Sequence, residues 1–145
     1  MKYATGCVVA LALLGTAACS DDSMTTPDAT VSDAAIPDAP PREVITSMPG
    51  LVPTELVEGI MTGGPGDLAV IKLTAMLPDL GWNIHGHANG GTQIAYEEHG
   101  KAMVEYVFSP TSESDWYLLV RNEGTANLEV QIRVEIYGDM TWRWQ

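Results

Sequence analysis

Between residues 128 and 137 the chain changes character at every step. Leu128, Val130, Ile132, Val134 and Ile136 are apolar, and Glu129, Gln131, Arg133, Glu135 and Tyr137 stand between them. Successive side chains of a β-strand point to opposite faces, so this run predicts a strand with one buried and one wet face. Residues 102–108 alternate in the same way, with Glu105 the charged member. Segments 68–75 and 80–87 are further apolar-rich strands, and 92–98 is a weaker one. Residues 116–120 are apolar throughout, as expected of a strand covered on both faces or central in a sandwich.

Turn chemistry separates these runs. Gly63-Gly64-Pro65-Gly66-Asp67, Ala88-Asn89-Gly90-Gly91, residues 109–114 and Asn122-Glu123-Gly124 are rich in residues that tolerate tight or left-handed backbone. Short strands punctuated in this way predict an all-β domain, a single antiparallel β-sandwich of jelly-roll type, over residues 43–145. Residues 44–61 read less clearly. We expect a short irregular lead-in followed by a strand at 56–61.

The N-terminus has a different pattern. Lys2 supplies a positive charge, residues 3–14 form a short apolar run, and Gly15-Thr16-Ala17-Ala18-Cys19 closes it with small residues. This is the layout of a secretory signal peptide over residues 1–18. About a dozen apolar residues are too few to span a bilayer, which takes about twenty. The cysteine directly after the small residues resembles the bacterial lipoprotein class. That resemblance implies cleavage before Cys19 and acylation of Cys19 by diacylglycerol and palmitate, hence membrane attachment through a lipid anchor. Ser20 rather than Asp follows the cysteine, which by resemblance to Gram-negative lipoprotein sorting implies the outer membrane. Thr16 and Ala18 also suit ordinary signal peptidase, and that cleavage would give a secreted or periplasmic soluble protein.

Residues 19–42 then form a tether. Asp21, Asp22, Asp28, Asp33 and Asp38 are interspersed with Ala, Ser, Thr and Pro, with no aromatic residue. Such a stretch buries too little apolar surface to offset chain entropy, and is expected to be disordered. Its prolines favour an extended form that holds the domain away from the bilayer. The chain carries 19 Asp and Glu against 7 Lys and Arg, so nucleic acid and anionic lipid surfaces are poor partners. The two cysteines, Cys7 and Cys19, both lie at or before the lipidation position. The domain therefore has no disulfide, thiol nucleophile or thiolate metal ligand.

The order of the domain's segments resembles a known type. A glycine turn precedes Asp67-Leu68, then come Trp82-Asn83-Ile84-His85, a Gly-rich turn and a Tyr/Phe strand. Asp115-Trp116-Tyr117-Leu118-Leu119-Val120-Arg121-Asn122 and the alternating strand close the domain. This resembles the small β-sandwich modules of the pre-peptidase C-terminal and GOLD types. The resemblance covers about residues 56–137 and implies a binding or accessory role without catalytic residues. Asp115-Trp116 stands where many such modules carry Gly-Tyr.

Motifs for self-contained catalysis are missing from the sequence: it has no Gly-x-Ser-x-Gly elbow, phosphate loop or His-Glu-x-x-His helix. The adjacent acids Glu97 and Glu98 point to opposite faces of a strand. Two constellations remain. His85 and His87, two apart on a strand, share a face, and the following hairpin returns towards Glu97 and His99. Two imidazoles with Glu97 or His99 as a third ligand would suit Zn²⁺ or Cu²⁺; without such a site no cofactor is expected. The competing structural reading makes the two histidines polar positions beside core Trp82 and Ile84. Trp142 and Trp144, also two apart, either cap the core or form an aromatic strip for a glycan or a partner protein. The first expectation is thus an envelope-tethered, non-catalytic binding lipoprotein of unknown partner. The alternatives are an envelope metal-binding protein and a carbohydrate-binding module.

Overall fold

Burial follows the predicted alternation closely. The even-numbered residues from Leu128 to Ile136 are at most 2% exposed, whereas Glu129, Gln131 and Arg133 face solvent. This computed structural model describes residues 36–88 and 91–145; the expected signal peptide, Cys19 and the tether up to residue 35 lie outside the described residues. Ten strands follow in order: β1 (Glu43–Ser47), β2 (Gly50–Leu51), β3 (Leu56–Gly63), β4 (Leu68–Ala75) and β5 (Leu80–Ala88). β6 (Gly91–Lys101), β7 (Met103–Phe108), β8 (Ser114–Asn122), β9 (Leu128–Tyr137) and β10 (Thr141–Trp144) complete the set. Among the described residues there is no helix, and none is long and apolar enough to cross a membrane.

The strands form two antiparallel sheets. Sheet I runs β1-β9-β4-β7, with β2 also pairing β9, and sheet II runs β10-β3-β8-β5-β6. Alternate residues of each sheet meet between them. Ala69, Ile71, Leu73 and the even-numbered face of β9 pack against Met61, Trp82, Ile84, Leu118 and Val120. Trp82 anchors the β6–β7 side through ring contacts with Tyr96 and Tyr106 at 5.2 and 5.4 Å. The apolar run of residues 116–120 lies in β8, central in sheet II between β3 and β5.

The stretch expected to be an irregular lead-in is instead paired. β1 and β2 are two pieces of one edge along β9, broken at Met48-Pro49. Proline cannot donate to a ladder and is tolerated at an edge. Here Pro49 still contributes its carbonyl, which accepts from Val130 N–H at 3.1 Å.

Polar groups secure each end of the sandwich. At one end Asp67 accepts from Gly64 N–H at 2.9 Å and Asp139 N–H at 2.7 Å, tying the β3–β4 turn to the β9–β10 turn. Gly138 takes φ +78° in that second turn, where a side chain would also collide with Asp67. The chain enters the domain here, with Arg42 donating to the carbonyls of Gly138 and Met140. At the other end Asn122 is fully buried. It donates to the carbonyls of Leu51 and Ala126 at 3.0 and 2.8 Å, and accepts from Gly124 N–H at 2.9 Å. Asn122→Ala would leave these backbone groups without partners. We expect a loss of about 2–4 kcal/mol in urea unfolding, with the m-value unchanged.

Candidate functional site

The histidines lie on the outer face of sheet II. Cross-strand registers place Arg143, Ile60, Tyr117, His85 and Ile94 in one row across β10, β3, β8, β5 and β6. Asn83, His85 and His87 therefore project away from the core, while Trp82 and Ile84 project into it. A register shift after Ile84 adds one residue to β6, so that Tyr96 sits opposite Ile84 but Ile94 sits opposite His85. The shift turns Ile94 outward beside the imidazole and leaves it 51% exposed.

His85 is 6% exposed even though it is on an outer face. Its ring stacks on Tyr117 at 5.2 Å, and His87 stands edge-on to both, 5.1 Å from His85 and 4.7 Å from Tyr117. Nδ1 of His85 lies 2.8 Å from Asn83 Oδ1, and Nε2 lies 3.5 Å from a Glu58 carboxylate oxygen. Glu58 reaches it from β3, across the intervening β8. Burial lowers the His85 pKa below 6.5; the Glu58 charge opposes this and His87 adds to it. A neutral ring has one donor. Its hydrogen sits on Nδ1, which donates to Asn83 Oδ1, and the bare Nε2 faces the Glu58 carboxylate.

His87 pairs with Thr92 across the hairpin and is exposed. Glu97 lies opposite Asn83, while His99 turns to other acids: its Nδ1–H donates to Glu123 at 2.7 Å and Nε2 lies 3.6 Å from Glu97. That hydrogen bond and the Glu123 charge raise the His99 pKa above 6.5. The structure thus brings together His85 and His87, and separately Glu97 and His99. No group of three His, Cys, Asp or Glu residues able to hold a metal occurs among the described residues. Glu98 points the other way, as expected, and accepts from Trp82 Nε1–H at 3.1 Å.

The two tryptophans have different settings. Trp142 packs over Gly59 of β3, where any side chain would overlap its ring, and joins the core edge. Trp144 is 43% exposed and, with Ser47, Pro49, Leu56, Val57, Glu58 and Gln145, lines a cleft of about 450 Å³ on the open flank of the sandwich. Glu58 and Tyr117 were not legible as His85 partners. Glu58 comes from a strand two positions away in the sheet, and Tyr117 sits in an uninterrupted apolar run.

No protein-family model matches the chain, and no curated protein matches its sequence. Among solved structures the chain is similar to PliG of Aeromonas hydrophila, a periplasmic lysozyme inhibitor of g-type lysozyme. The identity is 9% and the TM-score 0.50, over 65% of this chain and 86% of that one. It is also similar to the Yersinia pseudotuberculosis-derived mitogen, at 16% identity and a TM-score of 0.49, over 68% and 89% of the two chains. At such identities the likeness is one of fold. The resemblance to pre-peptidase C-terminal and GOLD modules likewise extends to the β-sandwich and no further.

The two histidine environments predict opposite titrations. By NMR, His85 should titrate below 6.5 and His99 above it. As pH falls through 6.5 the unfolded chain protonates at position 85 before the folded one, so His85 makes stability decline on acidification. His99 has the opposite sign, and its contribution is lost as pH rises through its folded pKa. His85→Gln should flatten the decline on the acid side of the urea-stability profile, and His99→Gln should not.

Proposed function

We propose that the chain is a non-catalytic binding protein of the cell envelope, anchored through acylated Cys19 and held off the bilayer by residues 19–42. The carrying observation is the enclosure of His85. The side chain best suited to general base or ligand chemistry is stacked on Tyr117, flanked by Asn83 and Glu58, and 6% exposed. Other strong polar groups are also engaged by neighbours: Asp115 by Thr62 and Arg143, Glu98 by Trp82 and Lys101. This leaves a braced scaffold whose open resource is surface. A similar sandwich serves the Aeromonas protein as an enzyme inhibitor, a role that also works by binding.

Native mass spectrometry of the full chain, extracted from its own membranes in mild detergent, tests both halves of this reading. The expected species is the acylated chain in complex with a further protein, and Cys19→Ala should move the chain to the soluble fraction without the acyl mass. An unacylated chain in wild-type extracts contradicts the anchor, and a chain that is always alone contradicts the binding role.

The Trp144 cleft favours a second reading, as a glycan-binding module, because one exposed flat ring adjoins Ser47 and Gln145 at its rim. Under that reading, envelope glycan fragments quench tryptophan fluorescence saturably. Trp144→Ala abolishes the quenching with no change in Tm, because that ring lies outside the core.

A further inference from the structure

Five methionines lie in the described residues, and they divide sharply. Met61 and Met140 are fully buried, whereas Met48, Met76 and Met103 are 63%, 91% and 74% exposed. Strand register gathers the exposed three. Met103 pairs with Thr74, Thr74 pairs with Gln131, and Gln131 lines a hollow shared with Met48. Met76 follows directly on β4 and, with Leu77, Asn127, Leu128 and Glu129, lines a cleft of about 350 Å³. The result is a methionine rim along one end of sheet I, with an apolar knob at Met76-Leu77 beside the cleft.

The backbone under this rim is braced. Glu123 N–H donates to Asp79 O at 2.8 Å, Ala75 N–H donates to Ala102 O at 2.8 Å, and Asp79 covers Gly124 so closely that no side chain fits there. Methionine on a fixed frame gives an adaptable apolar surface, because its unbranched thioether repacks against varied partners.

Topology and charge identify the kind of occupant. The chain enters the domain at the opposite end, where Glu43 pairs with Ile136 and Arg42 meets Gly138. The eight residues of β4 separate the two ends by about 27 Å, so the rim points away from the proposed anchor. Residues 48–55, 76–79, 100–103 and 123–129 contain Glu55, Asp79, Glu123 and Glu129 against one base, Lys101, which is paired with Glu98 at 2.9 Å. Such an end repels an anionic bilayer and complements a basic surface.

We infer that the methionine rim docks a protein partner offering an apolar pocket ringed by Lys or Arg, an assignment that rests on the binding role proposed above. The test is site-specific photocrosslinking of the full chain in its own cells. A benzophenone side chain is placed at 48, 76 or 103 on the rim, at 87 or 94 on the outer face of sheet II, and at 65 or 139 near the point of chain entry. The expected result is one protein adduct of discrete mass from the rim positions, several-fold above the others. Asn127→Lys with Glu129→Lys, both at exposed positions, should cut its yield about tenfold at unchanged Tm. Protein adducts only from 87 or 94 would overturn the rim assignment while leaving the binding role intact. Lipid adducts from the rim, or a lysine variant that crosslinks as well as wild type, would also overturn it. The absence of protein adducts at every position would count against both.

Discussion

The architecture depends on a single strand with two unlike faces. β9 pairs with β1, β2 and β4, and its even-numbered residues supply an unbroken aliphatic row to the core. Side-chain period in a strand is two, so a slip of one residue would put Glu129, Gln131 and Arg133 into the core and expose the aliphatic row. That penalty sets the register of β9, and through it the registers of the three strands bonded to it. Trp82 and Met61 complete the packing from sheet II. Every surface feature keeps its place because this interleaving does not slide.

Two buried or half-buried polar side chains then define the ends. Asp67 gathers the turns where the chain enters, and Asn122 gathers those at the far end. A carboxylate or amide that satisfies several backbone groups holds loops more tightly than their own sequences could. It follows that the sandwich has a polarity along its strands, with chain entry at one end and exposed methionines at the other. The imidazole face of sheet II lies on the side between them. There His85 is closed in by Tyr117, Glu58 and Asn83, so this outer face is stiffened by contacts that would ordinarily belong to a core.

Much of this architecture is legible in the chain because period-two patterning reports directly on burial. β4 spans the expected residues 68–75, and the pairing of His87 with Thr92 places both histidines on one face as their spacing implies. β1 and β2 were not legible, since a five-residue and a two-residue edge interrupted at Pro49 carry almost no pattern of their own. Their pairing comes from β9. The closure of Glu58 over His85 was equally hidden, because it depends on which strand lies between β3 and β5. Trp142 and Trp144 look equivalent in sequence, yet Gly59 makes room for one ring and the open flank exposes the other. Nothing in the spacing of the methionines distinguishes the two in the core from the three at the rim; only the fold does.

Oxidation of methionine to its sulfoxide follows solvent access, so it reads both the packing and the use of the rim. The most direct measurement is peroxide footprinting by mass spectrometry, on the purified chain and on the same chain in intact cells. In the purified chain, Met48, Met76 and Met103 should oxidise well ahead of Met61 and Met140. In cells, those three should be protected together while free methionine added as a dosimeter still reacts. Equal reactivity of the three in both settings would contradict a partner bound at the rim, and early oxidation of Met61 or Met140 would contradict the fold itself.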